Sequence, residues 1–227
     1  MTATRSTTSY RMNSISDIAF PDSAVGSEQP ANANRPNGSG ADRVGETLGV
    51  TSESERARVA IDHILYTIAE RRDAGDFEGM AALFARSSFD TDYPDAPSGH
   101  GVQQGAAEIA AGFRAMCYVY DEGGARTHYH TTNSIYDIDV ESGRAVVRSY
   151  YFVTQSVPPH LDHVGGIGFG LQIVASGHYV DHFDRIDGEW HIVARKIFAD
   201  LTGDRSRHMK IDPIEYGRQF RQQKNAG

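Results

Sequence analysis

Between Tyr120 and Thr127 the apolar residues of this chain change their period, and no other feature constrains the fold as much. Upstream they recur at helical spacing. Ala57, Ile61, Ile64, Leu65 and Ile68 form one stripe, and Phe77, Met80, Leu83 and Phe84 form a second. A third runs through Ala106, Ile109, Ala110, Phe113, Met116, Cys117 and Tyr120, which predicts a helix from about Gln104 to Tyr120. Downstream the period is two. Residues 127–139, 144–155, 171–186 and 189–198 read as strands rich in Val, Ile, Tyr, Phe and Thr. Helices followed by strands is an α+β order. The helices can cover one face of such a sheet only if the sheet curls around them. The expected architecture is therefore a cone-shaped, curved antiparallel sheet wrapped around N-terminal helices and enclosing a pocket.

Local punctuation agrees with this division. Ser52-Glu53-Ser54-Glu55 has the form of a capping box, and Asp76 is placed to cap the second helix. Asp187-Gly188 marks a tight hairpin, and Asp212-Pro213 marks the start of a last helix. Residues 1–50 differ in kind: the segment from Gly26 to Asp42 holds no large apolar side chain. Such a stretch buries too little surface to offset its ordering entropy, so a disordered N-terminal extension is expected over 1–50 and a folded domain over 51–227.

Composition narrows the function. The net charge is −8 and no basic stripe is present, which argues against nucleic acid as a partner. No apolar run approaches the ~20 residues of a membrane span, and Met1 to Phe20 lacks the apolar core of a secretory signal. One cysteine, Cys117, permits no internal disulfide. A cytoplasmic protein with a small-molecule substrate is the expectation.

Two segments carry candidate chemistry. Asp73 ends the first helix on the same face as Tyr66, where an acid is disfavoured by the helix dipole; it also reads as part of a charged terminus, Glu70-Arg71-Arg72-Asp73. In the strand Thr127–Asn133, His128 and His130 share one face, while Tyr129 and Asn133 share the other. A histidine facing a half-enclosed cavity titrates near neutral pH and suits proton transfer. His128-Tyr129-His130 lacks the nearby carboxylate of a metal-binding set, so no metal and no cofactor are expected. His160, His163, His178 and His182 read as surface or edge residues. The loop from Val157 to Gly170 reads as a lid, its glycines opening a strand.

Four ordered blocks then resemble the SnoaL-like branch of the nuclear-transport-factor-like superfamily. They are Asp73 to Phe77 with Leu83 to Ala85, Arg126 to Asn133, Arg148 to Tyr151, and Gly177 to Trp190 continued by Arg195 and Asp200. The resemblance spans roughly residues 52–208. It implies a lyase or isomerase, such as a dehydratase or polyketide cyclase, using Asp-His acid–base catalysis on an apolar cyclic substrate. Asp73 would orient the base, Tyr66 or Tyr150 would donate to a substrate oxygen, and Tyr129 and Asn133 would line the pocket. The position of the family's histidine, four residues before the asparagine, holds Tyr129; a one-residue bulge would bring His128 or His130 to it. The same resemblance allows a non-catalytic binding or assembly module, or the small subunit of a ring-hydroxylating dioxygenase. It also implies a homodimer.

Overall fold

The computed structural model describes residues 52–226, so the expected extension over 1–50 lies outside the described residues. Helix α1 spans Ser52–Asp73, with Glu53 and Glu55 in its first turn and Arg71 and Arg72 in its last, each sign opposing the helix dipole. Ala57, Ile61, Leu65 and Ile68 are buried along one side. Gly75, at φ +74°, turns the chain into α2, Phe77–Ala82, where the Asp76 carboxylate accepts the Gly79 N–H at 2.8 Å.

Next come β1, Ser88–Asp92, and the two-residue β2, Gln103–Gln104. Helix α3 is Gly105–Met116. The long strands follow as β3, Thr127–Asp139; β4, Arg144–Val157; β5, Phe169–Ile186; and β6, Glu189–Thr202. Helix α4, Pro213–Ala226, ends the described chain. Among the described residues no helix is long and apolar enough to cross a membrane.

The six strands form one open sheet in the order β2-β1-β6-β5-β4-β3. The long strands pair antiparallel, as the alternation predicts, whereas β1 runs parallel to β6. That pairing left no mark in the sequence pattern. Five short bulges interrupt the ladders, among them one in β3 between Thr132 and Ile135 and one between Ser176 and His178. Each adds twist, and together they curl the sheet around α1–α3. At Gly177 a Cβ would sit 1.9 Å from the Phe198 carbonyl oxygen, so glycine alone permits the close approach of β5 to β6.

One core fills the curl. Ile61, Leu65 and Ile68 of α1 meet Phe77 and Met80 of α2, Ile109 and Phe113 of α3, and Val147, Val153 and Phe183 of the sheet. Within the sheet Asp181 and Arg195 stand directly opposite each other, joined by two hydrogen bonds of 2.7 Å and almost wholly buried.

The third helix stops at Met116, four residues short of the predicted Tyr120. Cys117 is extended because its backbone bridges to Met209. Around it the Tyr118 N–H donates to His208 O at 3.0 Å and the Lys210 N–H to Met116 O at 2.7 Å. Residues 203–212, between β6 and α4, thus run as a strap alongside the exit of α3.

Candidate functional site

The concave side of the sheet, α1, α3 and the strap enclose a cavity of about 60 Å³. Most of its wall is apolar or aromatic, including Phe89, Phe113, Val153, Tyr151, Tyr179 and Ile197. Tyr151 and Tyr179 stack on each other, with centroids 4.4 Å apart. The polar groups that reach it are Arg72, Tyr129, His100, His208, Arg205 and a few hydroxyls, and none of the lining residues is Asp or Glu.

Arg72 enters the cavity because of its place on α1. Ile61, Leu65, Ile68 and Arg72 fall at spacings of four, three and four, so the buried stripe of the helix ends on a cation. Its guanidinium lies between two rings, 3.8 Å from the Tyr129 centroid and 4.6 Å from that of Phe113. Its Nε is buried without a hydrogen-bond partner, and among the described residues the guanidinium forms no ion pair. Cation–π contacts recover only part of what a buried charge loses on leaving water.

The Tyr129 hydroxyl lies 2.7 Å from His208 Nε2. Burial raises the Tyr129 phenol well above its ordinary value of 10.0. Burial, aided by the positive charges of Arg72 and Arg205, pushes His208 down from 6.5 to about 3. The pair is therefore a phenol and a neutral imidazole at physiological pH, and which atom carries the shared proton depends on the imidazole tautomer. His208 Nδ1 is buried with no partner, as is Nδ1 of His100, which burial lowers to about 4.

Of the seven residues singled out by sequence, Tyr129 alone lines this cavity. Asp73 is turned to the start of β3, where its carboxylate accepts from the Thr127 hydroxyl at 2.9 Å and from the Tyr129 N–H at 3.0 Å. Burial raises its carboxyl, opposed by those two hydrogen bonds. His128 Nδ1 lies 3.7 Å from the largely covered Asp73 carboxylate, but the His128 side chain is 81% exposed, so this contact is on the outer side of β3 and not in the cavity. His130 stacks on Phe152 of β4 and approaches the Thr154 hydroxyl at 3.3 Å. The bulge that would have turned a histidine inward is absent there: β3 pairs with β4 in unbroken register from Thr127 to Thr132. The irregularity comes later, at Asn133, which is exposed with φ +52°. Tyr66 and Tyr150 are 58% and 46% exposed, away from the cavity.

A family model for the SnoaL-like domain matches residues 53–196. The chain belongs to the SnoaL-like family. Solved structures share the fold of this domain. A scytalone dehydratase candidate from Novosphingobium aromaticivorans is 20% identical, with TM-score 0.50 over 68% of this chain and 91% of that one. The β subunit of a candidate aromatic-ring-hydroxylating dioxygenase from the same organism is 17% identical, with TM-score 0.50 over 66% and 93%. A Kribbella flavida protein is 18% identical, with TM-score 0.50 over 68% and 97%. At this identity the likeness is one of fold. A comparison with curated protein sequences gives no match.

Four polar residues of the cavity, Arg72, His100, Arg205 and His208, were not among the sequence candidates. Arg72 had a signal in the stripe spacing but was read as a helix-end charge. His208 lies in the strap, beyond the matched stretch 53–196, where no periodicity marks it. The strap lines the cavity through Arg205, His208 and Met209, with Pro213 at the start of α4 beside them, and the loop over 157–170 contributes no lining residue. The loop clamps the strap, since Asp162 accepts two hydrogen bonds from the Arg207 guanidinium, at 2.9 and 3.2 Å.

Proposed function

We propose that this SnoaL-like domain is a cofactor-independent lyase or isomerase that moves a proton on a small cyclic carbonyl compound inside the cone. One observation carries the reading: a Tyr–His pair, 2.7 Å apart, is held in an otherwise mostly apolar cavity beside a guanidinium that has no ion pair among the described residues. Tyr129 is the donor to a carbonyl or leaving oxygen of the substrate. His208 Nε2, as the neutral imidazole, takes the proton leaving substrate carbon and passes a proton back to the Tyr129 oxygen as that hydroxyl protonates the substrate oxygen. The Arg72 charge stabilises negative charge developing on either oxygen. Asp73 acts through Tyr129, by fixing the backbone N–H that sets where the ring points.

Turnover on a panel of cyclic β-hydroxy ketones and isomerisable enones tests this. A positioned acid–base group is worth about 10²–10⁴-fold, so Tyr129→Phe and His208→Gln should each lose at least ~10²-fold in kcat. His128→Ala should change little, and Asp73→Asn should lose less than Tyr129→Phe. Unchanged turnover in both Tyr129→Phe and His208→Gln would sink the proposal, and loss confined to Asp73→Asn and His128→Ala would assign the chemistry to the surface pair. The small size of the cavity favours a second reading, a ligand-binding module without catalysis. That reading requires saturable binding of panel compounds with no product formed.

A further inference from the structure

The electrostatics of the cavity are one-sided. Arg72 and Arg205 both line it, and among the described residues no carboxylate does. Arg205 has an outlet, Asp212 at 3.6 Å. Arg72 has none among the described residues: the carboxylate next to it in sequence, Asp73, is taken up by Thr127 and the Tyr129 N–H. A half-buried cation whose Nε is fully buried, with no ion pair among the described residues, favours an anionic ligand. The two rings occupy the faces of the guanidinium, so what remains for a ligand is its edge of N–H donors, and the Nε on that edge is buried and unpartnered.

A planar, two-oxygen acceptor matches such an edge, because two parallel N–H···O bonds form at once. A cavity of about 60 Å³ suits a carboxylate and its first carbon atoms better than a tetrahedral phosphate with its larger charge and shell of donors. The remaining wall around it is ring and aliphatic carbon. His208 Nδ1 and His100 Nδ1 are further unpartnered polar atoms in the same lining, available to a carboxylate or to an oxygen beside it.

We propose that the ligand of this cavity is a small organic carboxylate, clasped by the Arg72 guanidinium. This deepens the function proposed above and rests on the cavity being the ligand site, since it gives the substrate class: a cyclic or unsaturated carbonyl compound that also bears an acid group. The carboxylate anchors the molecule at Arg72 and presents its reactive oxygen to Tyr129, whose ring packs on the same guanidinium.

The test is calorimetric titration of the full chain at pH 7 with sodium formate, acetate and benzoate, and with formamide, acetamide and benzamide as neutral counterparts. At least one carboxylate should bind saturably and its amide should not. A hydrogen bond to a charged group is worth enough that Arg72→Met should weaken the bound carboxylate by about 10–100-fold. Arg72→Lys keeps the charge but loses the fork, so it should fall between the two, and it serves as the reading variant if circular dichroism shows Arg72→Met unfolded. Binding of no carboxylate, equal binding of acid and amide, equal competition by chloride or inorganic phosphate, or unchanged affinity in the Arg72 variants each overturns the assignment. Carboxylate binding that persists while Tyr129→Phe and His208→Gln turn over normally removes the proton-transfer reading and leaves the carboxylate site standing.

Discussion

Acidification from pH 7 to pH 5 should destabilise this domain through two buried histidines. His208 and His100 are held neutral by burial, with pKa values lowered from 6.5 to about 3 and about 4. The unfolded chain therefore binds more protons than the folded one between about pH 4 and 6.5, and stability rises with pH across that window. The contribution is complete above 6.5 and is lost as pH falls toward the folded values. At pH 5 each histidine has forfeited about 2 kcal/mol relative to pH 7, so together they remove about 4 kcal/mol. For a domain of this size 1 kcal/mol moves the midpoint by about 2–4 °C, which puts the expected fall in Tm at about 8–16 °C. Asp162 and Glu215, lowered to about 2 by their bonds to Arg207 and Arg218, respond below about pH 4.5 and so fall mostly outside the window. Asp73 works in the opposite sense, because burial raises its carboxyl, and Asp73→Asn removes that contribution. The assay is Tm by circular dichroism at half-unit steps of pH for the native chain, His208→Gln, His100→Gln and the double variant. Each single variant should halve the slope and the double variant should nearly flatten it. A native Tm that is flat from pH 7 to 5, or a double variant that keeps the native slope, refutes the reasoning.

Two further outcomes follow from close contacts in the sheet. Gly177→Ala places a methyl against the Phe198 carbonyl oxygen and should cost about 1–3 kcal/mol in urea unfolding; an unchanged midpoint would show that the β5–β6 bulge adjusts freely. Asp181→Asn strands the buried Arg195 charge and should cost about 3–5 kcal/mol, most of which Asp181→Leu combined with Arg195→Met should restore, whereas a double variant less stable than the single would count against it.

What could be read from the sequence divides along the range of the interactions involved. The stripe Ala57–Ile61–Leu65–Ile68, the Asp76 cap and the Asp187-Gly188 turn, with φ values of +54° and +87°, are local devices, and the structure carries each of them. Strand β1 could not be read in the same way. Its five residues, Ser88–Asp92, belong to a sheet only through parallel pairing with β6, more than a hundred residues away. The end of α3 followed the same rule, since Cys117 kept the helical period in sequence and gave it up to pair with Met209. The site was legible at Tyr129, which the alternation of β3 turns inward and the family pattern marks. At His128 and His130 the family pattern competed with that alternation, and the unbroken register kept both outside.

The strap explains why so small a cavity can still be a ligand site. An engineered cavity of about 150 Å³ binds benzene, and the space of about 60 Å³ found here is less than half of that, so a ring displaces part of the lining. The sheet and α1 are tied into ladders and the main core. The strap lies outside the ladders and is held by individual hydrogen bonds, among them the Tyr118 and Lys210 backbone pairings, the Tyr120 hydroxyl and Gln155 side chain on the Arg207 carbonyl, the Arg207–Asp162 fork, the His163–Ser206 contact and the Tyr129–His208 pair. Since it belongs to neither a ladder nor a helix, we infer that it is the wall that yields to a ring. Because His208 rides on it, withdrawing the strap also carries this imidazole out of burial and toward its ordinary basicity. Admission of the ligand and the proton state of His208 are then one coupled equilibrium. A ligand that seats its acid on Arg72 and lets the strap close restores the neutral His208–Tyr129 pair that the proposed proton transfer uses.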